Sequence, residues 1–258
     1  MPALAKTLHV ATYNIHKGFS QFNRRMMVHE LRERLRILSP DIVFLQEVQG
    51  LHLGHVETLS EWPGEPQHEF IAGDVWENTA YGRNVIYDHG HHGNAILSRF
   101  PILHSHNQDV THLRFERRGL LHCAIAVTDG EQPLHCVCVH LSLFGRSRRR
   151  QMEALALRLE ELVPADAPLI IAGDFNDWRN SASNLLADRL GLIEVFGGAA
   201  GHPAKSFPSS LPVFRLDRIY VRGFGIESAT VHFGPPWSRI SDHAVLSAHL
   251  VADLAAHG

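Results

Sequence analysis

The chain has 258 residues, enough to bury a sizeable core in one large α/β domain or two small ones. Hydrophobic content of 45%, charged content of 20% and a formal net charge of -3 describe an ordinary globular chain, with no global positive field for nucleic acid. No apolar run reaches the length of a membrane span, and Met1 to Lys6 lacks a basic region followed by a long apolar segment, so no secretion signal is read and the cytoplasm is the expected compartment.

Leu8 to Tyr13 alternates and is β-rich, so it reads as a first strand, ending in Asn14-Ile15-His16-Lys17-Gly18. Arg25 to Leu38 carries Val28, Leu31, Leu35 and Leu38 at helical spacing and is expected to cover the sheet as an amphipathic helix. Pro40 closes it, and Asp41 to Gln46 is a second buried strand. Glu47 follows at once, and a carboxylate at the end of a strand centred on four apolar residues is costly to bury unless it is paired or binds a metal. Leu51 to Glu61 is expected to be helical, Trp62-Pro63-Gly64 breaks it, and the stretch to Tyr81 reads as loop with short strands.

Arg83 to Tyr87, Asn94 to Leu97, Ile102 to His106, Leu120 to Thr128 and Leu134 to His140 all read as strands, arranged as antiparallel hairpins. Twenty histidines is a high count, but the cluster His89, His91 and His92 sits between glycines and reads as a flexible loop rather than a metal tract. Cys123, Cys136 and Cys138 lie in apolar strand-like runs, are odd in number and form no Cys-x-x-Cys pair, which argues against a disulfide framework or structural zinc. Arg146, Arg148, Arg149 and Arg150 stand near the start of a helix from Gln151 to Leu162, where they oppose its dipole unless one faces an anion.

Leu169-Ile170-Ile171-Ala172 is a buried strand that breaks at Gly173 and presents Asp174, Asn176 and Asp177. Ser183 to Leu190 is a short helix, and Gly197 to Leu211 a Gly/Pro/Ser-rich loop. Asp217 lies inside the apolar strand Phe214 to Val221 and needs a partner, for which Arg215 or Arg218 is one choice. Ile226 to Phe233 is a strand, and Ser241-Asp242-His243 opens the last one, Ala244 to Val251. No internal repeat or domain-separating linker is visible, so residues 1–258 read as a single domain.

Asn14, Glu47, His140, Asp174, Asn176, Asp242 and His243 all lie at strand ends and converge if those strands share a sheet. This set is not a zinc set, which would favour closely spaced His or Cys ligands, and no Gly-x-Ser-x-Gly elbow is present. The oxygen-rich balance suits a hard cation that keeps open positions for phosphate oxygens, and so points to metal-assisted phosphoryl chemistry.

The motifs Thr12-Tyr13-Asn14-Ile15-His16, Leu45-Gln46-Glu47-Val48, Gly93-Asn94-Ala95-Ile96-Leu97-Ser98, Val139-His140-Leu141, Gly173-Asp174-Phe175-Asn176, Leu216-Asp217-Arg218-Ile219-Tyr220 and Ser241-Asp242-His243 occur in an order that resembles the endonuclease/exonuclease/phosphatase superfamily. The likeness runs from about residue 8 to about residue 250. It implies an α/β two-sheet sandwich flanked by helices, the deoxyribonuclease-like four-layer arrangement. It implies a Mg²⁺-dependent (or Mn²⁺-dependent) hydrolase of phosphate esters, acting on nucleic acid or on a phospholipid or small phosphodiester, with no obligate protein partner.

Carried over by position, the resemblance makes Glu47 a metal ligand, helped by Asn14 and the acidic Asp242. Asp174 orients and deprotonates the attacking water, Asn176 binds a phosphate oxygen, and His243 contacts the phosphate with Asp217 behind it. His140 is a further phosphate contact or proton donor, and Asn94 a polar position of the same pocket. His16 stands where abasic-site endonucleases carry Asp, which weakens a reading as a DNA-repair enzyme. The competing readings are a phosphomonoesterase, an inactive binding protein on the same fold, and a zinc hydrolase using the His89 to His92 cluster.

Overall fold

Each of the two sheets is built around one parallel strand pair, because each pair is joined through a helix long enough for the crossover. A computed structural model describes residues 7–21, 25–52, 54, 61–127, 132–178, 183–197 and 204–252. In the first sheet β1 (Thr7–Asn14) and β2 (Ile42–His52) are parallel and connected through α1 (Val28–Leu38). The hairpin of β3 (Asn78–Tyr87) and β4 (Gly90–Ser98) extends the β2 side. The antiparallel pair β11 (Phe224–His232) and β12 (Val245–Ala252) extends the β1 side. The order is β11-β12-β1-β2-β4-β3.

The second sheet repeats this plan. Here β7 (Leu134–His140) and β8 (Leu169–Asp174) are the parallel pair, connected through α3 (Gly145–Leu162). The antiparallel strands β5 (Ile102–Asp109) and β6 (Gly119–Ile125) extend one side, and β10 (Asp217–Arg222) with the short β9 (Ile193–Glu194) the other. Three short α-helices, α2 (Gln67–Ala72), α4 (Ser183–Leu190) and α5 (Trp237–Ile240), and a 3-10 turn at His16–Gly18 are also described.

Strand alternation assigns each side chain to a layer. Leu8 and Val10 of β1 join Phe44, Ile96, Cys138, Ile170 and Leu246 in the core between the sheets. Ala11 and Tyr13 point the other way, against Leu31 and Leu35 of α1. On the far side Met152, Leu155 and Leu159 of α3 cover Val137, Val139 and Ile171. The chain is therefore a four-layer sandwich of helices, sheet, sheet and helices, as the resemblance implied.

Several expectations are corrected. The strand read as ending at Gln46 continues to His52, so Leu51 and His52 are not helical, because a register shift between Leu45 and Val48 lets β2 pass Glu47 and resume pairing with β4. Of the rest of the expected helix, Gly54 is helical, Glu61 is in a turn, and 53 and 55–60 lie outside the described residues. The stretch up to Tyr81, expected as loop with short strands, contains the start of β3 but also the helix α2. His91 and His92 are not in a flexible loop but in β4, where Tyr81 Oη lies 2.9 Å from His91 Nδ1. The strand expected from Phe214 begins at Asp217. All three cysteines are free and buried, as small hydrophobes.

Candidate active site

Parallel pairing brings the C-terminal ends of β1 and β2 level, and those of β7 and β8 level, with Asn14 opposite Gln46 and His140 opposite Asp174. Packing the sheets face to face then joins the two ends. Asn14 Nδ2 donates across the sandwich to Asp174 Oδ2 at 3.1 Å. A cavity of about 390 Å³ opens there, and Asn14, Glu47, Arg118, His140, Asp174, Asn176 and His243 give it polar groups. Its other lining residues are Leu143, Trp178, Phe207, Phe214 and Leu216.

Asp174 lies at its centre, buried at the last position of β8. The preceding Gly173 has φ 147°, and a Cβ there would sit 2.0 Å from the Val139 carbonyl oxygen, so only glycine lets β8 close on β7 at this point. Asp174 Oδ1 accepts from the Asn176 backbone N–H at 2.9 Å. His140 Nε2 lies 3.6 Å and His243 Nε2 3.9 Å from Oδ2. Burial raises the Asp174 carboxyl above the usual carboxylate range; His243 and the Asn176 and Asn14 hydrogen bonds oppose this and do not cancel it.

His243 precedes β12, and its Nδ1 lies 2.8 Å from Asp217 Oδ2, so the partner of the buried Asp217 is a histidine and not an arginine. Arg218 instead holds Glu194 at 2.7 Å and donates to the Asp177 carbonyl. Burial lowers the His243 imidazole, but the charge and hydrogen bond of Asp217, with Asp174 and Asp242 behind them, win and push it up to about 10. The ring is an imidazolium at neutral pH. His140 behaves oppositely: burial first, then the charges of Arg118 and His243, hold it well below the ordinary histidine range, so it is neutral. Two histidines beside one carboxylate are thus held in different protonation states.

Ligand atoms of Asp174, Asp217 and His243 lie within 4.8 Å of one another. In this trio His243 Nδ1 and Asp217 Oδ2 already satisfy each other at 2.8 Å, which suits a donor–acceptor pair better than two ligands of a cation. The second carboxylate group of the site fits one better. Glu47 is half-buried in the β2 irregularity with φ 55°, faces the cavity, and has no hydrogen-bond partner among the described residues. Asp242 Oδ1 lies 3.5 Å from His16 Nδ1. The Asn14 side-chain oxygen Oδ1 accepts from the His16 backbone N–H at 3.1 Å. Gln67 of α2 accepts from the Gln49 N–H and donates to the Lys17 carbonyl, each at 2.8 Å, and so ties the Glu47 segment to the loop after β1.

Of the residues expected at the site, Asn14, Glu47, His140, Asp174, Asn176 and His243 line the cavity; Asp217 stands directly behind His243. Asn176 has φ 51° and donates through Nδ2 to the Leu141 carbonyl at 2.9 Å. Asp242 and Asn94 do not line the cavity. Asn94 is buried and donates to the Gly119 and Cys138 carbonyls, so it fastens β4 to the second sheet.

Arg118 and Trp178 went unnoticed in the sequence. Arg118 Nη2 lies 3.1 Å from Glu116 and its Nε donates to the Leu141 carbonyl; one arginine in Arg114-Phe115-Glu116-Arg117-Arg118 gives no signal of its own. Trp178 follows Asp177 and packs against the Arg148 guanidinium, 5.4 Å from the ring centre. The anion that Arg148 faces at the start of α3 is internal, Asp177 at 3.7 Å. Phe207 lines the cavity and packs on His243, whereas Trp76 is buried and donates to the Pro40 carbonyl, and Trp62 stacks on Phe19.

The fold and its motifs agree with known proteins. Residues 11–243 match the model of the Endonuclease/Exonuclease/phosphatase family. The chain is 46% identical over 241 residues to YbhP, an uncharacterized protein of Escherichia coli (strain K12), covering 93% of this chain and 95% of that one. An endonuclease/exonuclease/phosphatase from Beutenbergia cavernae superposes with a TM-score of 0.73 at 20% identity, over 96% of this chain and 72% of that one. D. rerio TDP2 complexed with single strand DNA product superposes with a TM-score of 0.69 at 21% identity, over 95% and 98% of the two chains. The chain belongs to the endonuclease/exonuclease/phosphatase family.

Proposed function

We propose that this chain hydrolyses phosphate esters, diesters in preference to monoesters, by attack of a water that Asp174 activates. The observation that carries this reading is the focus of groups on Asp174: Asn14 at 3.1 Å, His140 at 3.6 Å and His243 at 3.9 Å, at the base of an open cavity. A phosphodiester resists hydrolysis because its negative charge repels the nucleophile. The His243 imidazolium faces that charge, and Asp217 keeps the ring protonated and fixes its orientation. Asp174, fixed by Asn14 and Asn176, takes the proton of the water as its oxygen bonds to phosphorus and the bond to the leaving oxygen breaks. Neutral His140 and the second Asn176 amide hydrogen are donors for the phosphoryl oxygens. Arg118 adds a fixed cation to the same wall.

Glu47 and Asp242, with the Asn14 side-chain oxygen Oδ1, would hold a hard divalent cation, Mg²⁺ or Mn²⁺. Their all-oxygen character and the unpartnered Glu47 carboxylate support that assignment. Such an ion supplies charge withdrawal from the phosphate when bound. The similarity to TDP2, seen with a single strand DNA product, makes nucleic acid one candidate substrate; the phospholipid or small phosphodiester is the other.

The test is hydrolysis of bis-p-nitrophenyl phosphate and p-nitrophenyl phosphate with Mg²⁺, Mn²⁺ or EDTA, for wild type and Asp174→Asn. Diester turnover that EDTA and the substitution each remove is the expected result. Preference for the monoester would replace the diesterase with a phosphatase. Turnover that survives Asp174→Asn would end the assignment of the base.

A further inference from the structure

The mouth of the cavity is apolar where a soluble enzyme ordinarily presents polar side chains. Three segments border it, 110–118, 141–146 including the first residues of α3, and 204–216, and each exposes large hydrophobic side chains. Phe115 is 78% exposed and Leu211 72%, and Leu143, Phe144, Trp178 and Phe214 are each about half exposed or nearly so. The groups are neighbours. Phe115 and Phe144 meet edge to face at 6.0 Å, and Leu143, Trp178 and Phe214 line one cavity. Leu211 lies in the turn between Phe207 and Phe214, which pair with each other. Exposed apolar side chains gathered around a site mark a docking surface, whereas scattered single ones need no explanation.

The charges of the same segments are one-sided. They carry Arg114, Arg117, Arg118, Arg146, Lys205 and Arg215 against the single acid Glu116, in a chain whose formal net charge is -3. Glu116 is occupied: it pairs with Arg118 and accepts from the Leu143 N–H and the Ser142 hydroxyl. Arg114, Arg117, Arg146, Lys205 and Arg215 have no ion-pair partner among the described residues, and all but the half-buried Arg215 are exposed.

We propose that this ring docks the enzyme onto the surface of an anionic lipid bilayer, so that the phosphate ester entering the cavity is that of a lipid headgroup. The inference rests on the hydrolytic reading for its substrate, but the docking itself does not need turnover. Three features favour a bilayer. Leucine side chains at the loop tips match acyl chains and cannot stack on bases, the contact that single-stranded nucleic acid uses. The arginines stand beside the apolar tips, where the phosphate layer would lie above the hydrocarbon. A protein partner seated on the ring would close the mouth, whereas a bilayer presents phosphate groups to it.

The experiment is co-sedimentation of the full chain with vesicles of phosphatidylcholine alone, or of phosphatidylcholine mixed with phosphatidylglycerol. Two double variants accompany wild type: Phe115→Ser with Leu211→Ser, and Arg114→Ala with Arg117→Ala. None of these side chains lines the cavity, so hydrolysis of bis-p-nitrophenyl phosphate is expected to stay at the wild-type rate in both. Wild type should partition onto the anionic vesicles and little onto the neutral ones. Each arginine removed should weaken partitioning about fivefold, from roughly 1 kcal/mol per basic residue at an anionic surface. The Phe115/Leu211 variant should lose about tenfold or more, and its loss should persist at high salt, because apolar insertion is not screened. Partitioning of wild type no better than that of both variants would overturn the proposal. So would indifference to vesicles combined with arginine-dependent binding of a single-stranded oligonucleotide, which would make nucleic acid the occupant. Vesicle binding without hydrolysis of the soluble diester would remove the hydrolytic reading and leave the docking intact.

Discussion

Asp174 and Glu47 each end an apolar stretch of strand beside a parallel neighbour, yet their surroundings differ in kind. Asp174 is buried, accepts hydrogen bonds from Asn14 and Asn176, and has two imidazoles within 4 Å. Glu47 is half-buried at a β2 irregularity with φ 55° and has no hydrogen-bond partner among the described residues. A buried carboxylate is tolerated only when its neighbours replace the water it has lost. Both sheets supply that replacement around Asp174, Asn14 and His243 from the first and His140 and Asn176 from the second, whereas Glu47 is left open. One half of the cavity is therefore set before any ligand arrives, and the other is shaped to be completed by one.

The largest effect should come from disturbing the set half. Asp217→Asn removes the charge that keeps His243 protonated while leaving an acceptor of the same shape. The diester rate should fall about 10²–10⁴-fold, the range for a positioned acid or base, with the far-UV circular dichroism unchanged. A fall of less than threefold would mean that Asp217 only packs. Gly173→Ala attacks the same half through the backbone, since its Cβ would press on the Val139 carbonyl where β7 meets β8. A loss of about 3 kcal/mol or more in urea unfolding is expected, and wild-type stability would show that the strands can separate there at little cost.

The open half should respond differently. Glu47→Gln should leave stability in EDTA unchanged or slightly higher, because a partnerless carboxylate is relieved of its charge. Its affinity for Mg²⁺ or Mn²⁺ in isothermal titration calorimetry should drop at least about tenfold, on the scale of altered metal surroundings. Equal affinity for wild type and variant would take Glu47 out of the cation site.

The contrast also explains which parts were legible in the sequence. Apolar runs that stop at Asn14, His140 and Asp174 could be read locally, because a strand buried on both faces has a continuous apolar signature. The wiring among them could not. That Asp217 lies opposite Asp174 is a matter of strand register, and His243 reaches it from the other sheet. Helix α2 escaped notice because six residues led by Pro66 carry too few turns to show a helical period. The expectation that β2 ends at Gln46 failed for a related reason: the change to polar residues there reads locally as a strand end, whereas the strand passes Glu47 by a register shift. Arg118 acquires its position only once Glu116 and the Leu141 carbonyl are placed around it.

The smallest effect concerns pH and the support beneath the open half. His68 neighbours Gln67, which braces the Glu47 segment, and its ring stacks on Tyr81 at 4.8 Å. Burial, with a minor contribution from His91, lowers its pKa to about 4. The unfolded chain binds a proton near pH 6.5 that the folded chain refuses until about pH 4, so this stabilisation is present above 6.5 and is lost as pH falls between those values. For a ring in partial contact with solvent the loss is about 2 kcal/mol once screening is allowed for. Urea midpoints for wild type should fall between pH 7 and pH 4.5, and His68→Gln should flatten that slope. If the two slopes coincide, acid sensitivity has its source elsewhere, and the His122–His135 pair on the outer face of the second sheet, 2.9 Å apart with both rings lowered by burial, becomes the next place to look.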